Sequence, residues 1–285
     1  MDLSFLQAIL FGIIQGLSEF LPISSTAHLT LAGKLLLNDQ ILSDPKGWTA
    51  FMAVIQLGTL LAVLVYFRKD LINIIADFLR DNLTKRKKFA AQSLNSRLGW
   101  YIIIGTIPVV IIGLGLKHVI EGTFTKNLMV IALSLIILGI LLAVAEKVST
   151  FKKDIQKLTW LDSFLIGCAQ TLALIPGSSR SGTTITAGLF LGFTRETAAR
   201  FSFLLSIPAV LASGLLELKE SIPNLNSAMS FNLFIATIAA FISGYMTIDF
   251  LLRYLKGHNT FIFVFYRIAL GALILILIYS KIIVP

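Results

Sequence analysis

Residues 12–28 read GIIQGLSEFLPISSTAH, and this stretch decides the fold. It starts as an apolar helix pattern and breaks at Pro22, which is followed by the hydroxyl-bearing residues 24–26. The surrounding segment, Leu3–Leu37, is otherwise apolar, but neither side of the break needs a full membrane crossing. Non-helical backbone at membrane depth is tolerated only when it is buried in protein or faces a watery cavity. The pattern therefore predicts a re-entrant helical hairpin.

The rest of the chain predicts an all-α polytopic membrane protein. Of its 285 residues, 56% are hydrophobic and 14% are charged, whereas soluble domains carry ~25% charged residues. A crossing needs ~20 apolar residues in a helix. Six stretches meet that need: Ala50–Phe67, Gly99–Ile120, Asn127–Ala145, Thr197–Leu218, Phe231–Leu252 and Phe261–Val284.

A second broken segment, Trp160–Phe193, resembles the first. It is interrupted at Pro176 and by the polar run 178–184, which predicts another re-entrant hairpin. GIIQGL at 12–17 matches GCAQTL at 167–172, and PISS at 22–25 matches PGSS at 176–179, about 155 residues apart. Three spans follow each broken segment, so the two halves must insert with opposite topology. We therefore expect one transmembrane domain, 1–285, built as an inverted-topology repeat of approximately 1–145 and 160–285.

The loop charges indicate orientation. Lysine and arginine concentrate in a long basic loop at 68–98, in the loop 147–157 and in the short loop 253–256, which should be cytoplasmic. The loops near 39–44, 121–126 and 219–226 have no such excess. The spans alternate consistently only if both hairpins return to the side they entered from. The first hairpin would then enter from outside and the second from the cytoplasm, with both termini outside.

The net charge of +9 does not predict a nucleic-acid partner, because the basic residues sit in short loops where topology and anionic lipid explain them. The single cysteine, Cys168, has no partner for an intramolecular disulfide and is expected to be a small core residue. The first apolar segment lacks a basic leader and a small-residue cleavage pattern, so it is expected to stay in the mature protein.

The first break contains the groups expected to do chemistry. Gln15 and Glu19 are four residues apart and share one helix face. An ionisable residue inside a membrane segment is costly and indicates function, which favours Glu19 and makes His28 a candidate acid, base or nucleophile. The alternatives are a glutamine that packs helices, a glutamate that reaches the surface and an imidazole held in the core.

The second break contains the groups expected to bind an anion. Arg180 presents a planar fork of donors suited to phosphate oxygens, and hydroxyls and glycines flank it. A repeat of this kind brings the broken helices together near the midplane, where their N-termini favour an anion. The alternative for Arg180 is a structural ion pair with Glu19. Arg195, Glu196 and Arg200, just past the second hairpin, are expected to be solvated or to contact lipid headgroups.

Both motifs resemble those of the bacitracin-resistance family of undecaprenyl-diphosphate phosphatases. The resemblance is carried by residues 12–28, by LIPGSSRSGTT at 174–184 and by FSFLLSIP at 201–208, and it covers essentially the whole chain. It implies hydrolysis of the C55 isoprenoid diphosphate to the monophosphate and inorganic phosphate, with a divalent cation, Mg²⁺ or Ca²⁺. It also implies a bacterial plasma (inner) membrane location, a site that opens to the outer, periplasmic face, and membrane lipids as partners; a homodimer remains open.

The resemblance also assigns roles. Glu19 is the essential acidic residue and the metal ligand, Ser25 and His28 are candidates for nucleophile or proton transfer, and Arg180 is the phosphate ligand. Many family members have glutamate at the position of Gln15 and glycine at the position of Ala27, so this chain lacks a second carboxylate there. The remaining residues expected to bind substrate are Gln15, Ser24, Thr26, Ser178, Ser179, Ser181 and Thr184.

These residues allow several mechanisms. Ser25 could attack the terminal phosphorus while His28 or Glu19 takes its proton, a phosphohistidine could form at His28, or water could attack directly. A polyprenyl-phosphate lipid transporter or flippase would share the repeat and the midplane site. Another lipid phosphatase superfamily uses a Ser-Gly-His element with later arginine, histidine and aspartate. That arrangement is not met, because no histidine follows Arg180 before His258.

Overall fold

The computed structural model describes residues 3–37, 45–116, 127–221 and 227–283. These residues form helices joined by turns, with one isolated β-bridge between Lys153 and Phe193 and no strand. The loops expected near 39–44 and 121–126, the last part of 219–226, and the predicted span ends at Ile120 and Val284 lie outside the described residues.

Six of the described helices are long and apolar enough to cross a membrane, which confirms the six predicted spans. The spanning stretches are Gly47–Tyr66, Leu94–Gly115, Leu128–Val148, Arg195–Glu220, Ser230–Gly257 and Phe261–Tyr279. We label the helices that contain them α3 (Pro45–Tyr66), α5 (Leu94–Gly115), α6 (Leu128–Val148), α9 (Arg195–Ser221), α10 (Ser227–Gly257) and α11 (Phe261–Tyr279).

Each broken segment forms two short helices. The first consists of α1 (Phe5–Phe20) and α2 (Ser25–Leu37), and the second of α7 (Trp160–Thr171) and α8 (Arg180–Phe190), with a 3₁₀ turn at Leu172–Leu174. None of the four reaches the ~20 residues of a full crossing. The two interruptions of the helical segments thus lie where the sequence predicts them.

The predicted basic loop 68–98 is largely helical. It contains α4 (Arg68–Leu79), a π-helical turn at Arg80–Thr84, a 3₁₀ turn at Phe89–Ala91 and the first turn of α5. One face of α4 packs on α5, where the Phe78 ring lies against Gly99 and is tilted against the Trp100 ring at 5.1 Å between centroids. This apolar packing explains why a charged segment is ordered as a helix.

The two halves of the chain pack in matching ways. α1 packs on α10 and α7 packs on α5, while α3 with α9 and α6 with α11 join the halves. A twofold axis that relates the two halves would produce these same pairs of helices. The insertion of the halves with opposite topology stays a prediction.

Small residues let the short helices approach their partners closely. A Cβ at Gly12 would lie 2.2 Å from the Ala236 carbonyl oxygen, and a Cβ at Gly167 would lie 2.1 Å from the Gly105 carbonyl oxygen. Such close backbone approach by small residues is typical of helix pairs in membranes.

Gly167→Ala is therefore expected to destabilise the protein by about 1–3 kcal/mol, the range found for overpacked sites. The matched control is Gly113→Ala on α5, where a Cβ would have no atom of the described residues within 4 Å apart from its own helix backbone. Because alanine is the better helix former, the control should leave the thermal unfolding midpoint in detergent unchanged or raised. Equal midpoints for the two variants would contradict this account of the α5–α7 contact.

One ion pair corrects the expectation that Arg195 is solvated or contacts lipid headgroups. The Arg195 side chain is partly buried, not fully solvated; it forms an ion pair with the buried Glu146 and lies over the Phe151 ring at 4.0 Å. Glu146 also accepts a hydrogen bond from the Thr260 hydroxyl at 2.8 Å. The pair joins the end of α6 to the start of α9, which sequence spacing alone does not show.

Asp81, in the turn after α4, has a pKa held well below its usual range. The main cause is the Ser93 backbone N–H, which donates to its carboxylate at 2.8 Å, and Lys87 and Arg80 add to the effect at 3.0 and 3.3 Å. A carboxyl whose pKa is lower in the folded state stabilises the fold above its unfolded pKa of about 4, and this stability is lost as the pH falls below that value.

Asp81→Asn should therefore unfold at a lower temperature than wild type at pH 7. The difference between the two unfolding midpoints should shrink as the pH falls below about 4, because Asp81 then binds a proton in the unfolded wild-type chain but stays charged in the folded one, which favours unfolding of the wild type. A difference that stays constant from pH 7 to pH 3 would exclude this titration as its source.

Candidate active site between the two breaks

The two breaks share an unusual backbone feature. Ser24 and Ser179 have φ angles of 75° and 67°, in the left-handed region that side-chain-bearing residues rarely adopt. Such a conformation costs about 1–3 kcal/mol and is concentrated at functional sites. The Ser24 hydroxyl accepts a hydrogen bond from the Ala27 N–H at 3.3 Å, and the Ser179 hydroxyl accepts one from the Gly182 N–H at 3.1 Å. Each serine thus caps the second helix of its hairpin.

This geometry shifts the correspondence between the two breaks by one residue. The sequence comparison pairs Ser25 with Ser179, but the capping serines are Ser24 and Ser179. The extra residue in the second break is accommodated before the cap, where Gly177 has a φ of 85°. Ser25 and Arg180 therefore occupy equivalent positions, each the first residue of its helix.

The carboxylate of Glu19 joins the two breaks. Its Oε2 accepts hydrogen bonds from the Ser25 hydroxyl at 2.7 Å and from Gln15 Nε2 at 3.0 Å. Its Oε1 accepts one from Arg180 Nη2 at 3.1 Å, across a sequence separation of 161 residues. Glu19 is only 6% exposed. The structure thus brings together the acid, the hydroxyl and the cation that the sequence singles out.

The ion pair between Arg180 and Glu19 does not use all the donors of the guanidinium. Nη1 donates to the Ser202 carbonyl oxygen at 3.3 Å, and Nη2 donates to Glu19. Nε is buried and has no hydrogen-bond partner within the described residues. A guanidinium carries five N–H donors, so Arg180 retains the capacity to bind phosphate oxygens while it contacts Glu19.

The predicted hydroxyl residues divide into two groups. Three hold the backbone: Ser24 and Ser179 are caps, and the Ser181 hydroxyl donates to the Leu21 carbonyl oxygen at 3.0 Å, which ties the breaks together. Thr184 also has a structural role, since it donates to the Arg180 carbonyl oxygen and pairs with the Ser202 hydroxyl at 2.6 Å.

Two hydroxyls are free of such bonds. Ser178 is 1% exposed, and its hydroxyl has no hydrogen-bond partner within the described ranges. Within the same ranges the Thr26 side chain forms no hydrogen bond. Ser178 and Thr26 are therefore the predicted hydroxyl residues that remain available to a ligand.

Among the described hydrogen bonds, none joins His28 to Ser25. Its Nδ1 lies 2.7 Å from the Ser24 carbonyl oxygen, which can only accept, so Nδ1 carries a proton. In the neutral ring Nε2 then accepts from the Tyr266 hydroxyl at 2.6 Å, with the two rings stacked. Both imidazole nitrogens are engaged, which favours Glu19 over His28 as the partner of Ser25.

His28→Gln is accordingly expected to lower the turnover rate by less than the ~10²-fold that loss of a general base costs. Tyr266→Phe, which removes the hydrogen bond to Nε2, should give a similar small decrease. Steady-state phosphate release from each purified variant measures this. If His28→Gln were as inactive as a Glu19 variant, His28 would be part of the reacting group instead.

The structure also shows three residues that sequence reasoning missed. Arg267 on α11 is completely buried and donates to main-chain carbonyls of both breaks: Pro22 at 3.2 Å, Ser178 at 3.0 Å and Gly177 at 3.4 Å. A lone arginine in an apolar span was an available signal for it. Nothing in the sequence marked the neighbouring Tyr266, and Ser202 lies in the 201–208 motif without an assigned role.

The site has an orphaned oxygen that fits a cation. Gln15 Oε1 is buried without a hydrogen-bond partner in the described part of the chain, and it belongs to the side chain that contacts Glu19. The described residues contain no cluster of three histidine, cysteine, aspartate or glutamate side chains able to hold a metal alone. Mg²⁺ commonly binds one or two protein oxygens together with substrate phosphates, so Gln15 and Glu19 fit a cation shared with a diphosphate.

Comparisons with known proteins match nearly the whole chain. The family profile described as bacitracin resistance protein BacA matches residues 8–273. The chain is 57% identical to the undecaprenyl-diphosphatase of Syntrophobacter fumaroxidans, over 96% of this chain and 97% of the relative. It is 48% identical to that of Myxococcus xanthus, over 97% and 90%, and 45% identical to that of Renibacterium salmoninarum, over 97% and 96%.

Proposed function

This chain belongs to the bacitracin resistance protein BacA family, and we propose that its diphosphatase reaction takes place where the two breaks meet. It is an undecaprenyl-diphosphate phosphatase, which hydrolyses undecaprenyl diphosphate to undecaprenyl phosphate and inorganic phosphate. This activity links the chain to cell-wall synthesis and to bacitracin resistance. The relatives are named as diphosphatases, so a flippase without hydrolysis is not favoured.

One observation supports this location of the reaction above the others. A single carboxylate, Glu19, accepts a hydrogen bond from Ser25 at 2.7 Å and contacts Arg180 at 3.1 Å. In this proposal the three groups are the nucleophile, its base and the anion ligand, and they come from both halves of the chain. A nucleophile and a base within hydrogen-bond distance are the signature of covalent catalysis.

In the proposed reaction, the Ser25 oxygen attacks the terminal phosphorus while Glu19 takes the hydroxyl proton. The bond from that phosphorus to the bridging oxygen breaks, and undecaprenyl phosphate leaves. Water then attacks the phosphoserine, Glu19 returns its proton to the Ser25 oxygen, and inorganic phosphate departs with the protons of the water. The phosphohistidine alternative is disfavoured because both nitrogens of His28 are engaged.

Positive charge at the site would stabilise the phosphoryl group as it is transferred. Arg180 supplies hydrogen-bond donors, and helices α2 and α8 have their N-termini at Ser25 and Arg180. The first N–H groups of a helix lack partners within the helix and bind anions. Donors fixed before the reaction are the effective ones, since they need no reorganisation in the transition state.

We also propose that Gln15 and Glu19 hold a divalent cation, Mg²⁺ or Ca²⁺, together with the diphosphate. The cation would neutralise charge on the phosphoryl oxygens. The orphaned Gln15 oxygen supports this role. Because this site has one carboxylate, the phosphate oxygens of the substrate would supply the remaining charged ligands of the cation.

The charge pattern supports a plasma membrane orientation in which the site opens to the outer face. The segments that carry most lysine and arginine follow the first, third and fifth spans, which supports a cytoplasmic position for those span ends. The matching packing of α1 on α10 and α7 on α5 supports the inverted repeat on which this orientation depends.

Phosphate release from purified protein supplied with C55 diphosphate tests the proposal. We expect release that stops on addition of a chelator and returns with excess Mg²⁺ or Ca²⁺. Release that is indifferent to chelator would remove the cation from the proposal, and no release under any cation condition would contradict the reaction itself.

A further inference from the structure

Helix α4 is not one of the membrane spans, and it lies between two of them. It follows α3 directly after Phe67 and is joined through the turns at 80–91 to α5. On its inner face Ile74 is buried and Phe78 packs against Gly99. The helix therefore starts where one span leaves the membrane and ends near where the next one enters.

The opposite face of α4 is apolar and exposed. Ile72, Ile75, Leu79 and Leu83 are 65%, 57%, 47% and 68% exposed, the last in the π-helical turn that continues the helix. Their spacing of three, four and four residues places them in one stripe. A contiguous exposed apolar stripe marks an interaction surface.

Basic residues border this stripe. By helical spacing, Arg68 precedes the stripe on the same line, and Lys69 and Arg80 lie along one side of it; the run Lys85–Lys88 follows its end. Arg80 and Lys87 form ion pairs with aspartates. Within the described residues Lys69, Lys85, Arg86 and Lys88 form no ion pair, so their charges remain available to a partner.

We propose that α4 docks flat on the cytoplasmic leaflet, with the stripe inserted at the level of the headgroups and the free basic residues on anionic phospholipid phosphates. An apolar stripe bordered by lysine and arginine is the pattern of helices that lie in the membrane interface. Basic clusters next to a span are attracted to anionic lipid. A second copy of the chain would bring the same positive charges together, so charge complementarity selects lipid as the occupant. The proposal does not depend on the catalytic mechanism.

Lipid quenching of a fluorophore tests the docking. In a Cys168→Ser background, Ile75→Cys and the exposed Asn73→Cys each carry an environment-sensitive label, in full-length protein in nanodiscs with phosphatidylglycerol. Helical geometry turns Asn73 away from the stripe, which makes it the matched control. We expect spin-labelled lipid to quench the label at position 75 several-fold more strongly than the label at position 73.

The charges are tested separately. Replacing Lys85, Arg86 and Lys88 by glutamine, or using discs of phosphatidylcholine alone, should reduce the quenching at position 75. The same triple variant should keep its phosphatase activity in detergent, which shows that it is folded. Equal quenching at positions 73 and 75 would overturn the proposal. So would shielding of position 75 that depends on protein concentration and not on lipid, because that result assigns the stripe to a second copy.

Discussion

Arg180→Ala is expected to lower kcat/KM for C55 diphosphate by about 10²–10³-fold, the loss seen when one preorganised donor to a developing oxyanion is removed. Arg180 is the only cation of the second break, and it contacts the Glu19 carboxylate at 3.1 Å while its Nε remains unpaired among the described residues. The substitution removes both the phosphate donors and the link between the breaks. Phosphate release at saturating and limiting substrate measures the effect.

Two further variants make this result specific. Arg180→Lys keeps the charge but loses the planar fork, so its activity should lie between those of wild type and Arg180→Ala. Arg253→Ala removes an exposed arginine from a surface ion pair and should leave activity unchanged. A folded Arg180→Ala protein with activity near that of wild type would show that Arg180 serves only as a structural partner of Glu19.

Glu19→Gln should lower kcat by about 10²–10⁴-fold, the usual contribution of a general base. Glutamine has nearly the same shape but cannot take the Ser25 proton, and it removes the charge that orients Arg180. The folded state should be retained, because the amide can still hydrogen bond to Ser25 and Arg180.

The matched control is Glu146→Gln, which alters a second buried carboxylate paired with an arginine. That pair lies away from the breaks and ties α6 to α9, so its loss should lower the unfolding midpoint while the turnover rate per folded molecule is kept. If both variants lost activity in proportion to stability, Glu19 would have no special role in the reaction.

The main residues of the candidate site could be predicted from the sequence. A charged side chain inside a membrane segment is energetically costly, so its presence there indicates a function. Glu19 and Arg180 stand out in apolar segments, and Pro22 and Pro176 mark the interruptions that bring them together. The six spans followed from length and hydropathy alone, and the structure confirms them.

The parts that the sequence could not supply are those that depend on side-chain direction. The sequence made His28 a candidate to take the Ser25 proton, but only the structure shows its ring turned to Ser24 and Tyr266. The one-residue shift between the breaks depends on which serine adopts a positive φ, and composition does not encode that choice.

Arg267 shows a different limit. It was visible as a lone charge in the last span, yet a span with one charge still reads as a membrane helix. Its contacts with the carbonyls of both breaks arise from the packing of α11 on α6, which joins residues far apart in sequence.

The stereochemical course at phosphorus tests whether Ser25 is phosphorylated during the reaction. A C55 diphosphate whose terminal thiophosphoryl group is chiral in its oxygen isotopes would be hydrolysed in isotopically labelled water, and the configuration of the released thiophosphate determined. Two successive displacements, at Ser25 and then at water, predict net retention of configuration. Net inversion would show a single displacement by water and would contradict the phosphoserine mechanism.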